Sequence, residues 1–164
     1  MTSGDGPSSE VRLHESFAAL YESEFLSMVR LAVALTGSES SAEDLVHDAF
    51  VRVHAHWARV EHPRAYLRAA VVNACRSAAR RSARERAANA RSRSDDARSG
   101  ASLDADEVFD VLGALPYRQR AAVVLRFYEG LSDGDIARIL QCREGTVASL
   151  VHRGLRQLRR VMGQ

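Results

Sequence analysis

Near the C-terminus, Thr146, Ser149, Arg153, Arg156 and Arg160 recur at helical spacing. At 100° per residue they share one stripe. Val147, Val151, Leu155, Leu158 and Met162 fall on the opposite, core-facing side, with Leu150 at its edge. Guanidinium groups in a row bind phosphates or base edges, because their planar forks match such acceptors bidentately. A second basic run, Arg64, Arg68, Arg76, Arg80 and Arg81, lies in "HPRAYLRAAVVNACRSAARR". It encloses Asn73, whose amide can both donate to and accept from a base edge. The chemistry these residues offer is the holding of a polyanion.

The total charge conceals this. The formal net charge is only +2, and all 23 basic residues are Arg. Residues 13–60 carry seven acids against three Arg, and residues 61–86 carry seven Arg against two Glu. The pattern repeats: seven acids against three Arg over 104–135, then six Arg against one Glu over 136–164. Each half has an acidic first part and a basic last helix, the footprint expected for nucleic acid.

Other chemistries find no support. There are no paired carboxylates, nucleophile motif or phosphate-cradling Gly loop, so an enzyme is not expected. His47, His54, His56 and His62 are near in sequence, but helical spacing does not bring them to one point, and no metal or cofactor is expected. Cys75 and Cys142 lie in apolar helical patterns without CxxC spacing, which reads as buried small hydrophobes in a reducing compartment. The opening "MTSGDGPSSE" lacks the basic start and apolar run of a signal peptide. No apolar stretch approaches the roughly 18 residues of a membrane span. A soluble cytoplasmic protein without membrane insertion is expected.

Helices must position these groups. Residues 1–10 are rich in Ser and Gly and are expected to be disordered. From Val11, Leu13, Phe17, Leu20, Tyr21, Phe25, Met28, Leu31 and Leu35 recur at three- and four-residue steps, and Gly37 supplies a stop. Ser40 with Glu43 has capping-box spacing for the next helix, "SAEDLVHDAFVRVHAHW". Its apolar side holds Leu45, Val46, Ala49, Phe50, Val53 and Trp57. Pro63 opens a third helix. Residues 82–102 lack almost any large apolar side chain and read as a linker into which that helix frays. Then follow a short helix in "DADEVFDVLGAL", one opened by Pro116 and ended by Gly130, and one capped by Ser132 with Asp135. A turn of about four residues leads to the last helix, "EGTVASLVHRGLRQLRRVM". No strand pattern occurs. The expectation is an all-α chain of two small helical domains, 11–90 and 103–164, joined by a flexible linker, 91–102. Neither domain should be very stable alone.

The short helix from Asp133 to Leu140, the turn and the last helix have helix-turn-helix spacing. "LPYRQRAAVVLRFYEGLS", "DIARIL" and "GTVASLVHRGLRQLR" resemble the C-terminal domain of the sigma-70 family in its extracytoplasmic-function branch, as in actinobacterial members. "LTGSESSAEDLVHDAFVRVHAHW" and "HPRAYLRAAVVNACRSAARR" resemble the N-terminal domain of that family. The resemblance spans Phe17 to Met162.

It implies a sigma factor that joins core RNA polymerase and directs initiation at promoter DNA. Asp44, His47, Asp48 and Val51 would face the clamp helices of the largest subunit, and the C-terminal domain the flap. Arg64, Arg68, Arg76, Arg80 and Arg81 would hold −10 phosphates. Asn73 would lie near a base captured by the loop at 58–62, where a pocket must repay the cost of extruding it. Thr146, Ser149, His152 and Arg153 would meet the −35 element, with Arg156 on phosphate. Many relatives are held by an anti-sigma protein, which the acidic, apolar first helix of each domain could serve. A helix-turn-helix regulator acting without polymerase is the alternative.

Five positions depart from the family pattern. Gln141 stands where relatives often have Gly, and Arg143 where Ser would cap the last helix. Ala148 and Leu150 stand where Lys and Arg are common, which narrows the expected −35 contacts. His47 replaces a common Gln.

Overall fold

The structure, a computed structural model, describes residues 9–90 and 106–163. Among these residues there are seven α-helices, one 3-10 turn and no strand. The expected linker at 91–102 lies outside them, as do residues 1–8 of the segment expected to be disordered.

The first bundle packs α1 (Ser9–Thr36), α2 (Glu39–Ala55) and α3 (Pro63–Ala90) against one another. Helix α1 starts two residues before Val11, its first apolar position. The α1 positions Met28, Leu31, Ala32 and Leu35 are buried, so the three- and four-residue spacing becomes a core-facing stripe. At its end the Thr36 hydroxyl donates to the Ala32 carbonyl at 2.8 Å. Gly37, at φ +73°, turns the chain and donates its N–H to Val33. Only Ser38 then separates α1 from α2. Ser38 is extended and its hydroxyl accepts from the Ser41 N–H at 3.4 Å, so it is the N-cap in place of Ser40. Helix α2 buries Ala42, Val46, Ala49, Phe50 and Val53. Phe17, Tyr21, Phe25, Phe50 and Trp57 form a chain of ring contacts 4.8–6.3 Å apart across α1, α2 and the turn after it. Helix α3 buries Leu67, Val71, Val72, Ala74 and Cys75. It continues as helix to Ala90, although residues 81–90 are exposed throughout. Their Ala, Arg and Glu content favours helix without any core contact.

The second bundle contains α4 (Asp106–Gly113), α5 (Tyr117–Phe127), α6 (Asp133–Leu140) and α7 (Glu144–Met162). Pro116 is the N-cap of α5, and Gly130, at φ +65°, follows the helix end. Ser132 caps α6 by accepting from the Asp135 N–H at 3.2 Å. Its own hydroxyl donates to the Asp135 carboxylate at 2.7 Å, which lowers the pKa of that group. The centre of this bundle is the apolar side of α7 against α5. Val147, Leu150, Val151 and Gly154 are buried there, so Leu150 belongs to the core and not to its edge. Met162 was expected on this face but is 74% exposed, because Arg159–Gly163 pass beyond the packed region and stay exposed.

The two bundles share one continuous buried cluster, from Leu20 to Val151. Helices α4 and α5 touch α1, and α5 and α6 touch α3. Three polar contacts fix this junction. The Arg120 guanidinium donates to the carbonyls of Leu35 at 2.7 Å, Leu115 at 3.0 Å and Gly113 at 3.2 Å. The Tyr117 hydroxyl donates to the Val72 carbonyl at 2.7 Å, and Arg68 pairs with Glu129 at 2.7 Å. Burial raises the pKa of Tyr117 and lowers that of Arg120.

At Gly154 α7 packs tightly on α5: a Cβ there would lie 2.8 Å from a Val123 methyl. Val123 is itself buried and has little room to yield. Gly154→Ala is expected to lower stability by about 1–3 kcal/mol, seen as a lower denaturant midpoint at unchanged slope.

Candidate nucleic-acid interface

The best-defined part of the site is α6, its turn and α7. Helix α6 ends at Gln141, which is left-handed at φ 52° and ψ 54°. The Cys142 N–H then bonds back to the Ala137 carbonyl at 3.0 Å, closing the turn tightly. Helix α7 therefore starts after a turn of only three residues, 141–143, and presents its first turns outward. Thr146, Ser149, His152, Arg153 and Arg156 are all exposed, opposite the buried Val147, Leu150 and Val151. Thr146, Ser149, Arg153 and Arg156 form one stripe, with His152 beside it. Ser149 donates its hydroxyl to the Gly145 carbonyl at 3.1 Å, which leaves its oxygen free to accept. Among the described residues neither Arg153 nor Arg156 has an acidic partner. Their guanidinium donors face solvent.

The other basic residues have different work. Arg118 donates to the Leu140 carbonyl at 3.2 Å, and Arg126 pairs with Asp133. Both brace the helix-turn-helix from behind. Arg143 is the N-cap of α7 and makes no side-chain cap bond. Glu144 stands in the first turn of α7, where a carboxylate complements the helix dipole. Its Oε1 lies 3.2 Å from where a Cβ on Gly134 would be, so it also borders the start of α6.

The second basic run is divided. Arg64 is largely exposed and pairs with Glu24 of α1 at 3.2 Å. Arg68, one turn on, is mostly buried and pairs with Glu129. Asn73, Arg76 and Arg80 stand at i, i+3 and i+7 and share a separate stripe. Asn73 and Arg76 are half-buried, while Arg80 and Arg81 are exposed. The Asn73 Oδ1 is buried with no hydrogen-bond partner. An open cleft of about 820 Å³ lies between α1, the 57–62 segment and the start of α3. Its walls include Ser23, Trp57, Glu61, His62, Arg64 and Arg68, which combine an aromatic face with donors and acceptors. Ser23 and Glu61 escape a reading by helix periodicity, because α1 contributes one wall and the loop another.

On α2, Asp44, His47, Asp48 and Val51 are exposed together on the side away from the core, with Val51 68% exposed. The His47 ring also packs against Phe25, 5.0 Å between centroids. Cys75 is buried, and burial pushes its thiol up to about 12, leaving it inert at neutral pH. Among the described residues no three His, Cys, Asp or Glu come together as metal ligands, and no helix is long and apolar enough to cross a membrane.

Fold and surface together define a helix-turn-helix protein with a second helical domain carrying its own basic face. The comparisons narrow this class. Residues 20–85 match the family described as sigma-70 region 2, and residues 105–158 match sigma-70, region 4. The RNA polymerase sigma-E factor of Streptomyces coelicolor is 33% identical over 81% of this chain and 78% of its own length. The ECF RNA polymerase sigma factor SigL of Mycobacterium tuberculosis is 31% identical over 86% of this chain and 85% of its own. Among solved structures, the sigma factor RpoE of Bartonella quintana, in complex with the anti-sigma factor NepR, is 25% identical. It superposes with a TM-score of 0.76 over 91% of this chain and 98% of that one. The chain belongs to the sigma-70 family of RNA polymerase sigma factors, in its extracytoplasmic-function branch.

The two departures at the turn have a physical reading in the structure. Gln141 occupies a left-handed position, which Gly adopts without steric cost, and Arg143 fills the cap position without capping. Gln141→Gly and Arg143→Ser are each expected to raise stability by about 1 kcal/mol, checked by urea unfolding of the single and double variants.

Proposed function

We propose that the chain is a dissociable specificity subunit of bacterial RNA polymerase. It binds core polymerase and directs promoter-specific initiation by recognising −10 and −35 elements. It has no catalytic activity of its own and works in the cytoplasm, where core polymerase is. One observation carries this reading: sigma-70 regions 2 and 4 both occur, in that order, in a chain of only 164 residues. A helix-turn-helix regulator acting without polymerase has no use for region 2.

The division of labour follows the exposed surfaces. Residues 11–90 form the core-binding and −10 domain, 91–102 the linker and 103–164 the −35 domain. Asp44, His47, Asp48 and Val51 dock on the clamp helices of the largest subunit. The exposure of Val51 beside two carboxylates supports this, since an apolar side chain ringed by charge suits a partner surface. The −35 domain also meets the flap of the polymerase. The cleft at 57–62 takes an extruded base of the melted strand, with Asn73 near it. Arg64, Arg68, Arg76, Arg80 and Arg81 hold the backbone. Thr146, Ser149, His152 and Arg153 read the −35 element, and Arg156 binds phosphate. The sigma factor RpoE of Bartonella quintana, of similar fold, is solved in complex with an anti-sigma factor, and such a partner is proposed here as well.

Run-off transcription with core polymerase from the same organism is the deciding experiment. A chain that neither co-purifies with core nor directs a start site is not a sigma factor. Asp48→Arg is expected to weaken core binding while the helical circular dichroism stays unchanged, and an unaltered core affinity would remove α2 from the docking surface. Arg153→Ala is expected to cost about 1–3 kcal/mol on the matching −35 element. An equal loss on every sequence tested would make Arg153 a phosphate contact.

A further inference from the structure

The cap position of α7 holds a side chain that cannot cap. In the same chain Ser38 caps α2 and Ser132 caps α6, each hydroxyl accepting a backbone N–H. At Arg143 the backbone is extended, and its carbonyl accepts the first helical bonds, from Thr146 at 2.9 Å and Val147 at 3.3 Å. The side chain makes no cap bond. A guanidinium carries donors only, so it cannot accept a backbone N–H. Helix α7 thus forgoes a stabilising contact that its neighbour α6 makes.

What stands there instead is a cation without a partner. Arg143 is exposed, and among the described residues no carboxylate pairs with it. It borders an open hollow of about 760 Å³ at the turn, shared with Arg138 of α6, Gln141 and Glu144. The turn is held in place: the Gln141 N–H bonds to the Arg138 carbonyl at 3.3 Å and the Cys142 N–H to Ala137 at 3.0 Å. The Arg138 side chain is 80% exposed, and the carboxylate it pairs with, Asp135, is exposed as well. Such a surface pair contributes little, so a phosphate can displace the carboxylate. Glu144, the acid bordering the hollow, lies with its Oε1 3.2 Å from where a Cβ on Gly134 would be. It is taken up by the start of α6, where a helix favours a carboxylate, and forms no ion pair with Arg143.

In a helix-turn-helix the second helix enters the major groove by its N-terminal residues, while the first crosses the backbone. That groove is about 12 Å wide and is walled by phosphates. Thr146 and Ser149 lie on the helix that enters. Arg138 and Arg143 lie on the crossing helix and on the turn, which places them at the wall. We propose that Arg143 is a further DNA-binding residue of this chain: it gives up the cap of α7 to hold a backbone phosphate at the groove wall, with Arg138 beside it. A phosphate accepts the forked N–H donors of a guanidinium, so the contact adds affinity and carries no sequence information. The inference rests on the sigma-factor reading for which DNA is held, the −35 duplex.

The test loads core polymerase with the full chain or with Arg143→Ser, Arg143→Lys or Arg159→Ser. Each holoenzyme is titrated onto a labelled duplex carrying a promoter that the parent transcribes, over a series of salt concentrations. Arg143→Ser should move two readouts in opposite directions. The urea midpoint of the free chain rises as the cap is regained, and promoter affinity falls roughly tenfold, as for loss of one hydrogen bond to a charged group. The plot of log affinity against log salt should flatten by about one unit. Arg143→Lys should keep the parent's slope and lose only part of the affinity, a point charge replacing a fork. Arg159→Ser removes the same charge beyond the packed part of α7 and should match the parent in both. The loss in Arg143→Ser should be equal on −35 elements that differ at single base pairs. A loss confined to one base pair overturns the phosphate contact, as does an Arg143→Ser variant with the parent's affinity and slope. An equal loss in Arg159→Ser also overturns it, since net charge then explains the effect. A parent holoenzyme that directs no start site sinks the sigma reading, and the same salt series with the free chain on a random-sequence duplex then decides Arg143 separately. A parent that directs a start site, with variants that share its slope, sinks the Arg143 contact alone.

Discussion

The last carbonyls of a helix have no partner within it, and this structure answers two such ends with one side chain. Arg120 takes the Leu35 carbonyl near the end of α1 and the Gly113 and Leu115 carbonyls at the end of α4 and just beyond. A cation there also complements the negative ends of both helix dipoles. Both of its terminal nitrogens are engaged, while its buried Nε has no hydrogen-bond partner, and Arg stays charged in proteins. The position of α5 relative to α1 depends on this contact. Through α5, so do α7, packed on it at Gly154, and α3, touched by Tyr117 and Glu129.

Viewed from Arg120, the arginines fall into two sorts. Arg68, Arg118, Arg120 and Arg126 are tied to carbonyls or carboxylates and hold elements together. Arg153, Arg156 and Arg160 are exposed on α7. The same residue type thus serves as internal strut and as ligand-facing donor, and only the availability of a protein partner distinguishes the uses. A chain with no Lys has no other long cation for either task.

Much of this was legible in the sequence. The helices follow from apolar recurrence, the second cap from Ser132 with Asp135, and the exposed stripe of α7 from its spacing. The resemblance to sigma factors rests on motifs that the comparisons match over both domains. What escaped was non-local. The pair between Arg68 and Glu129 joins residues 61 apart in sequence, and periodicity has nothing to say about such a pair. Gly154 looks like a weak point in a helix until Val123 is seen against it. Met162 has the right phase for the core but stands past the last helix that could cover it. The Ser40–Glu43 spacing points to Ser40 as the cap, but the chain reversal at Gly37 fixes the helix start two residues earlier, at Ser38.

The extension of α3 has a mechanical consequence. Its residues 81–90 touch no core, yet they are helical, and ten helical residues are about 15 Å of stiff rod. Along the chain, the covalent path to the second domain therefore leaves from the tip of a spar and not from the body of the first bundle. That offset helps to set the effective concentration of one domain at the other, in the way that anchor geometry governs any tethered pair. A break in the spar, by Gly or Pro, would leave each domain's own fold alone and change how often the two meet.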